Sequence, residues 1–191
     1  MQLTIKNLNK AEAALIGMPV PPQQYGNVGK LVEDELESLG YIINRGAGCD
    51  LKELGVEIKT RTIEATSAQT ICKMTELAII HTPYDQSPVK TKFQQQFRVH
   101  HSVEQGCIVS AKMYDFRDAY FQDKARHAYE TARTMIANGN CSDYVRGDKA
   151  VGYFEKTSSI GNSYDFRFPS NVMESFETTA RSTFSTLFEL V

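Results

Sequence analysis

Between Gly29 and Leu39, apolar Leu31, Val32, Leu36 and Leu39 recur at helical spacing, and Gly40 ends the run. Residues 41–44 (Tyr-Ile-Ile-Asn) read as a short strand. Arg45-Gly-Ala-Gly48 is a turn, and a second turn closes at Gly55. Residues 56–60 alternate and predict a strand; residues 76–81, apolar from Leu77 to Ile80, predict another. A short helix is expected over 87–96. Strands follow at 97–103 and 107–116, joined by a turn at Glu104-Gln-Gly106, although periodicity leaves open one longer helix through His101. Ala119, Tyr120, Ala125, Ala128, Tyr129, Ala132 and Ile136 mark a helix over 117–137 that Gly139 terminates. Strands at 151–157 and 164–168 precede a last helix that starts near Ser170-Asn171 and carries Val172, Phe176, Ala180, Phe184 and Leu187. The pattern predicts an α/β fold: a mixed, partly antiparallel central sheet flanked by helices. No repeat or linker separates two cores, so residues 1–191 are expected to form a single domain.

Composition narrows the class. With 41% apolar and 23% charged residues the chain is ordinary globular material, and a formal charge of −2 argues against a polybasic binder. Cys49, Cys72, Cys107 and Cys141 are widely spaced, with no CxxC and no neighbouring His pair. Free thiols in a reducing compartment are expected, and no structural zinc. The polar start of the chain shows no signal peptide and no apolar run reaches a membrane span, which leads to the expectation of a soluble cytoplasmic protein.

The chemistry concentrates in Asp50-Leu-Lys-Glu-Leu-Gly-Val-Glu57-Ile-Lys59. Glu57 and Lys59 stand two apart on a strand and project to one face, while Val56, Ile58 and Thr60 take the other. Asp50, just before the turn at Gly55, can approach Glu57 across it. Two converging carboxylates are hard oxygen donors suited to Mg²⁺, and an adjacent ammonium can hold a water and offset phosphate charge. An exposed ion-pair cluster is the competing reading of the same residues. Glu33 and Glu37 lie on one face of the preceding helix. Seven acids and only two bases, Arg45 and Lys52, lie from Glu33 to Glu57. Six bases against three acids follow from Ile58 to Ser102, so the near-neutral total sums an acidic and a basic stretch. His100-His101, adjacent on a strand, point to opposite faces, one enclosed and one exposed.

Gly29-Lys-Leu-Val-Glu33, then Asp50, then Gly55-Val-Glu57-Ile-Lys59-Thr60 resembles the MutH-like mismatch-repair endonucleases and related type II restriction enzymes of the PD-(D/E)xK superfamily. The resemblance implies a restriction-endonuclease-like fold shaped as a two-lobed clamp, with a catalytic lobe at about 1–95 and a DNA-recognition lobe at 96–191. It implies catalytic Glu33, Asp50, Glu57 and Lys59, with Mg²⁺ held by Asp50, Glu57 and the Ile58 carbonyl. Lys92, in Lys92-Phe-Gln-Gln-Gln-Phe-Arg-Val99, matches the family's supporting lysine; a phosphate-facing or solvated lysine is the alternative. Lys90, Arg98, Lys156, Tyr164 and Arg167 are the expected DNA contacts. The chain lacks the family's Thr-Trp-Glu-Thr-type segment and has no Trp. The implied activity is Mg²⁺-dependent, sequence-specific hydrolysis of double-stranded DNA leaving a 5′-phosphate, by a monomer or weak dimer. A type II restriction enzyme is the first reading. A strand-specific nickase, with an accessory protein if it serves repair, is the second, and a non-catalytic DNA-binding domain is the competing class.

Overall fold

The computed structural model describes residues 8–139, 144–148, 151–157 and 162–188, with the backbone alone for 144–148 and 181–188. The protein is mixed α/β, and its strands form two small sheets instead of the one central sheet expected. Two compact units result, one from residues 1–65 and 95–115, the other from 66–94 and 116–191. The expected lobe boundary at 95/96 falls beside one of the three places where the chain passes between them.

The first unit holds α1 (Leu8–Leu15), α2 (Val28–Ser38), β1 (Glu57–Thr62), β3 (Gln95–Ser102) and β4 (Cys107–Asp115), in the sheet order β1-β3-β4. β1 runs parallel to β3, with Glu57 opposite Gln96 and Lys59 opposite Arg98; β3 and β4 are antiparallel, with Gln96 opposite Tyr114 and Arg98 opposite Lys112. Alternation divides the sheet. Ile58, Phe97, Val99, Ala111 and Ile108 face a core completed by Leu8, Ala11 and Leu15 of α1 and Val28, Val32 and Leu36 of α2. Each Leu, Ile, Val and Phe side chain among them contributes about 1.5–3 kcal/mol by leaving water.

The second unit holds β2 (Gln69–Thr75), α3 (Glu76–His81), α4 (Pro88–Gln94), α5 (Ala119–Ala137), β5 (Tyr144–Asp148), β6 (Gly152–Lys156), β7 (Ser163–Phe168) and α6 (Ser170–Phe188). Its sheet, β2-β7-β6-β5, is antiparallel throughout. Its core is aromatic: Phe93, Phe116, Phe121, Phe154, Phe166, Phe168 and Phe176 are all enclosed, with ring centroids from 4.9 Å apart. Asp118 caps α5 by accepting the Tyr120 N–H at 2.8 Å, which moves the helix start two residues past the expected position.

Two expected strands are corrected. Residues 76–81 are helical: the Thr75 hydroxyl accepts the Ala78 N–H, Ile79 is buried, and Leu77 is 70% exposed. An apolar run this short carries no period, and the cap decides it. Residues 41–44 alternate, with Tyr41 and Ile43 buried, but join no ladder; the Tyr41 N–H goes to the Leu36 carbonyl and the Asn44 N–H to that of Asp50. Helix α1 and strands β2 and β5 were not anticipated, and a register shift between Thr70 and Cys72 interrupts the alternation of β2. Among the described residues no helix is long and apolar enough to cross a membrane.

His101 illustrates what enclosure does to a titratable group in the first unit. Its ring stacks on Tyr25 at 6.3 Å, and its Nε2 lies 3.0 Å from the Thr62 hydroxyl. Burial holds its pKa below the usual 6.5, against the opposing pull of the Glu64 carboxylate. As pH falls through 6.5 the unfolded chain takes up this proton while the folded chain resists it, so stability falls with pH in that window and is regained above it. Denaturant unfolding of wild type and His101→Gln at pH 7.5 and 5.5 is expected to show a smaller acid loss in the variant.

Candidate active site

The loop that carries Asp50 is built around Asn44. Its side-chain amide donates to the carbonyls of Ala47 at 3.0 Å and Cys49 at 3.1 Å, and its oxygen accepts the Gly46 N–H at 3.1 Å. Sequence reading passed over this residue, although an Asn opening a Gly-Ala-Gly turn is the usual signature of such a staple. Asn44→Ala is expected to cost about 1–3 kcal/mol of unfolding free energy, measured by denaturant titration.

Past Asp50 the chain doubles back. Leu51 bridges Val56, residues 52–54 form one 3₁₀ turn, and Gly55 takes φ +67°, a conformation that costs a glycine little. The return brings Asp50 against β1, where its Oδ2 accepts the Ile58 N–H at 2.9 Å. A strand residue turns its N–H and C=O toward the same side, so the Ile58 carbonyl leaves β1 on the edge where Asp50 sits. Lys59 Nζ donates to Glu57 Oε1 at 3.0 Å, with Glu57 only 3% exposed and Lys59 22%. Burying a carboxylate is costly unless it is paired, which explains why the lysine turns back along its own strand. At this end of β1, Asp50 thus bonds the Ile58 N–H and Lys59 bonds Glu57.

No family model matches this chain, and no curated protein matches it.

The donor set suits a hard divalent cation. Two carboxylates and a carbonyl are all oxygen, and Mg²⁺ is commonly held by one or two carboxylates, with waters and substrate phosphate completing its shell. Among the described residues no group of three or more His, Cys, Asp or Glu could share an ion, so Glu33 does not join Asp50 and Glu57 in one. Glu33 is half-buried on α2, one turn past Gly29, whose backbone packs near Thr60.

The other expected residues are placed as follows. Lys92 is half-buried on α4 in the second unit, and Lys90 pairs with Asp85 at 2.7 Å. Lys156 is half-buried at the end of β6. Arg167 is gripped by Glu155 at 2.6 Å and Asp165 at 3.0 Å. Arg98 and Tyr164 correct the expectation of DNA contact: Arg98 is 1% exposed and Tyr164 is enclosed edge-on to Phe154. Side chains so enclosed do not reach a duplex. Alternation on β7 puts Tyr164 with Phe166 and Phe168 on the core face.

Proposed function

We propose that this chain is a Mg²⁺-dependent DNA endonuclease of PD-(D/E)xK type, with a MutH-like or restriction-endonuclease-like fold. The observation that supports the reading is the pair of bonds at the start of β1, Asp50 to the Ile58 N–H and Lys59 to Glu57, on adjacent residues. Asp50, Glu57 and the Ile58 carbonyl would hold the metal. When bound, Mg²⁺ supplies charge stabilisation at the scissile phosphate and a more acidic water. Lys59 orients the attacking water and offsets charge building on the phosphate oxygens, while its bond to Glu57 fixes the ammonium in place. The face of the first sheet that carries Glu57 also carries Lys59, Arg61 and the exposed Lys112, cations that attract a phosphate backbone.

Supercoiled plasmid incubated with the protein and Mg²⁺, or with a chelator, tests the reading. Discrete linear fragments identify a type II restriction enzyme. Open circles alone identify a nickase, since one such site cuts one strand per encounter. DNA bound but unchanged in Mg²⁺ would mean a non-catalytic binding domain, in which the three residues are an ion-pair cluster.

A further inference from the structure

Within the second unit, the N-terminal halves of α5 and α6 border an open cavity of about 220 Å³. Helix α5 contributes Tyr120 and Lys124, four residues apart and so on one face; α6 contributes Asn171, Val172, Ser175 and Phe176. Val151, just before β6, completes the lining. Phe176 is buried and meets Tyr120 edge-on at 6.4 Å, so with Val172 and Val151 it makes the apolar part of the wall. Tyr120 itself is 47% exposed, although Phe121 beside it is packed into the core. Lys124 lays its ammonium over the Tyr120 ring, 5.1 Å from the centroid, and meets no carboxylate among the described residues. The Asn171 amide and the Ser175 hydroxyl likewise bond no other described residue. The lining therefore holds one cation, two neutral hydrogen-bonding side chains and no acid; Asp123 and Glu174, chain neighbours of Lys124 and Ser175, are not part of it. The first turn of α6 also carries no acid, and its dipole favours an anion there.

We propose that this cavity binds a single unpaired nucleotide, its phosphate on Lys124 and its base against Tyr120. An ammonium over a half-exposed ring is weakly held, and a phosphate is its stronger partner. An arriving phosphate draws the ammonium off and leaves the ring face to the base. Stacking on that face accepts any base, while the Asn171 amide offers both a donor and an acceptor to a base edge. The cavity is smaller than the about 300–1,000 Å³ of sites for drug-sized ligands, which suits one ring system and not a run of nucleotides. A free nucleoside 5′-monophosphate and an unpaired residue of a DNA strand both present these groups. The site shares no residue with the proposed catalytic set and does not depend on it.

Calorimetric titration in the presence of a chelator tests the proposal with the candidate metal site kept out of the measurement. The probes are thymidine 5′-monophosphate, a short single-stranded oligo-dT, thymidine and inorganic phosphate. Wild type is expected to bind the monophosphate or the oligonucleotide at least about tenfold more tightly than thymidine or phosphate alone. Tyr120→Leu and Lys124→Gln are each expected to weaken that binding about tenfold with little change in thermal midpoint, because both side chains reach solvent. Ser175→Trp, which fills the cavity from an exposed position on α6, is expected to abolish it. Tighter binding of the oligonucleotide than of the monophosphate assigns the site to a strand; equal or weaker binding assigns it to the free nucleotide. Phosphate bound as tightly as both nucleotide probes, no binding of either nucleotide probe at millimolar concentration, or binding that all three variants leave unchanged overturns the proposal. None of these results bears on the metal-site reading, which plasmid cleavage decides separately.

Discussion

Asp50→Asn is expected to lower the rate of Mg²⁺-dependent plasmid cleavage by about a hundredfold or more while leaving the thermal midpoint within a few degrees of wild type. The reasoning separates two roles of one carboxylate. Asp50 accepts the Ile58 N–H, which holds the 50–55 turn against β1. An asparagine oxygen can accept the same bond, so the turn survives. The negative charge does not survive, and metal-assisted charge stabilisation worth several kcal/mol translates into two or more decades of rate. Asp50→Ala removes both roles and should add about 1–3 kcal/mol of destabilisation for an N–H left without its acceptor. Lys59→Met is the companion measurement: its cleavage should fall comparably while plasmid binding persists. Full activity in either Asp50→Asn or Lys59→Met, read on the same gels, would remove the proposed catalytic set.

The largest stability effect is expected at Phe93→Ala. Phe93 is fully enclosed on α4, with its ring parallel to Phe116 at 5.1 Å and in contact with Phe168 at 4.9 Å and Phe176 at 5.9 Å. Truncation removes the transfer free energy of the ring and leaves a void among rigid neighbours that collapse poorly, a loss of about 3–5 kcal/mol. In a chain of this size that lowers the midpoint of a calorimetric melt by about 10 °C or more. Leu77→Ala is the contrasting case. A buried strand through 76–81 would make that substitution expensive, whereas the exposed helical position predicts a change within about 0.5 kcal/mol.

The pair of substitutions also shows where sequence was readable. Long periodic segments such as α2 and α5 were legible because their apolar positions repeat over several turns. The 76–81 run was not, because six residues hold too few repeats and the Thr75 cap outweighs strand propensity. The local frame of the candidate site was legible: the turn at Gly55 returns Asp50 to the Ile58 N–H, and a two-residue strand step sets Lys59 beside Glu57. Arg98 read poorly. Its basic character suggested a surface contact, but it sits mid-sheet between strands 39 residues upstream and 14 downstream, in the Lys59–Arg98 and Arg98–Lys112 registers that no local pattern displays. Splitting one expected sheet into two has the same origin, since strand partners are chosen by packing across the chain.

The parallel pairing of β1 with β3 has a consequence for how the molecule is made. β1 is finished at Thr62, but its partner β3 begins at Gln95 and β4 ends at Asp115, and the intervening residues 66–94 belong to the other unit. A ribosome adding about 5–20 residues per second needs roughly 3–10 s to pass from Thr62 to Asp115. For that interval the nascent chain presents Glu57–Thr62 with no strand to pair it, while β2, α3 and α4 emerge without the strands and helices that complete their own sheet. The first unit has all its residues once Asp115 is made, while the second still awaits 116–191, so one core is free to close around a tethered, unfinished other.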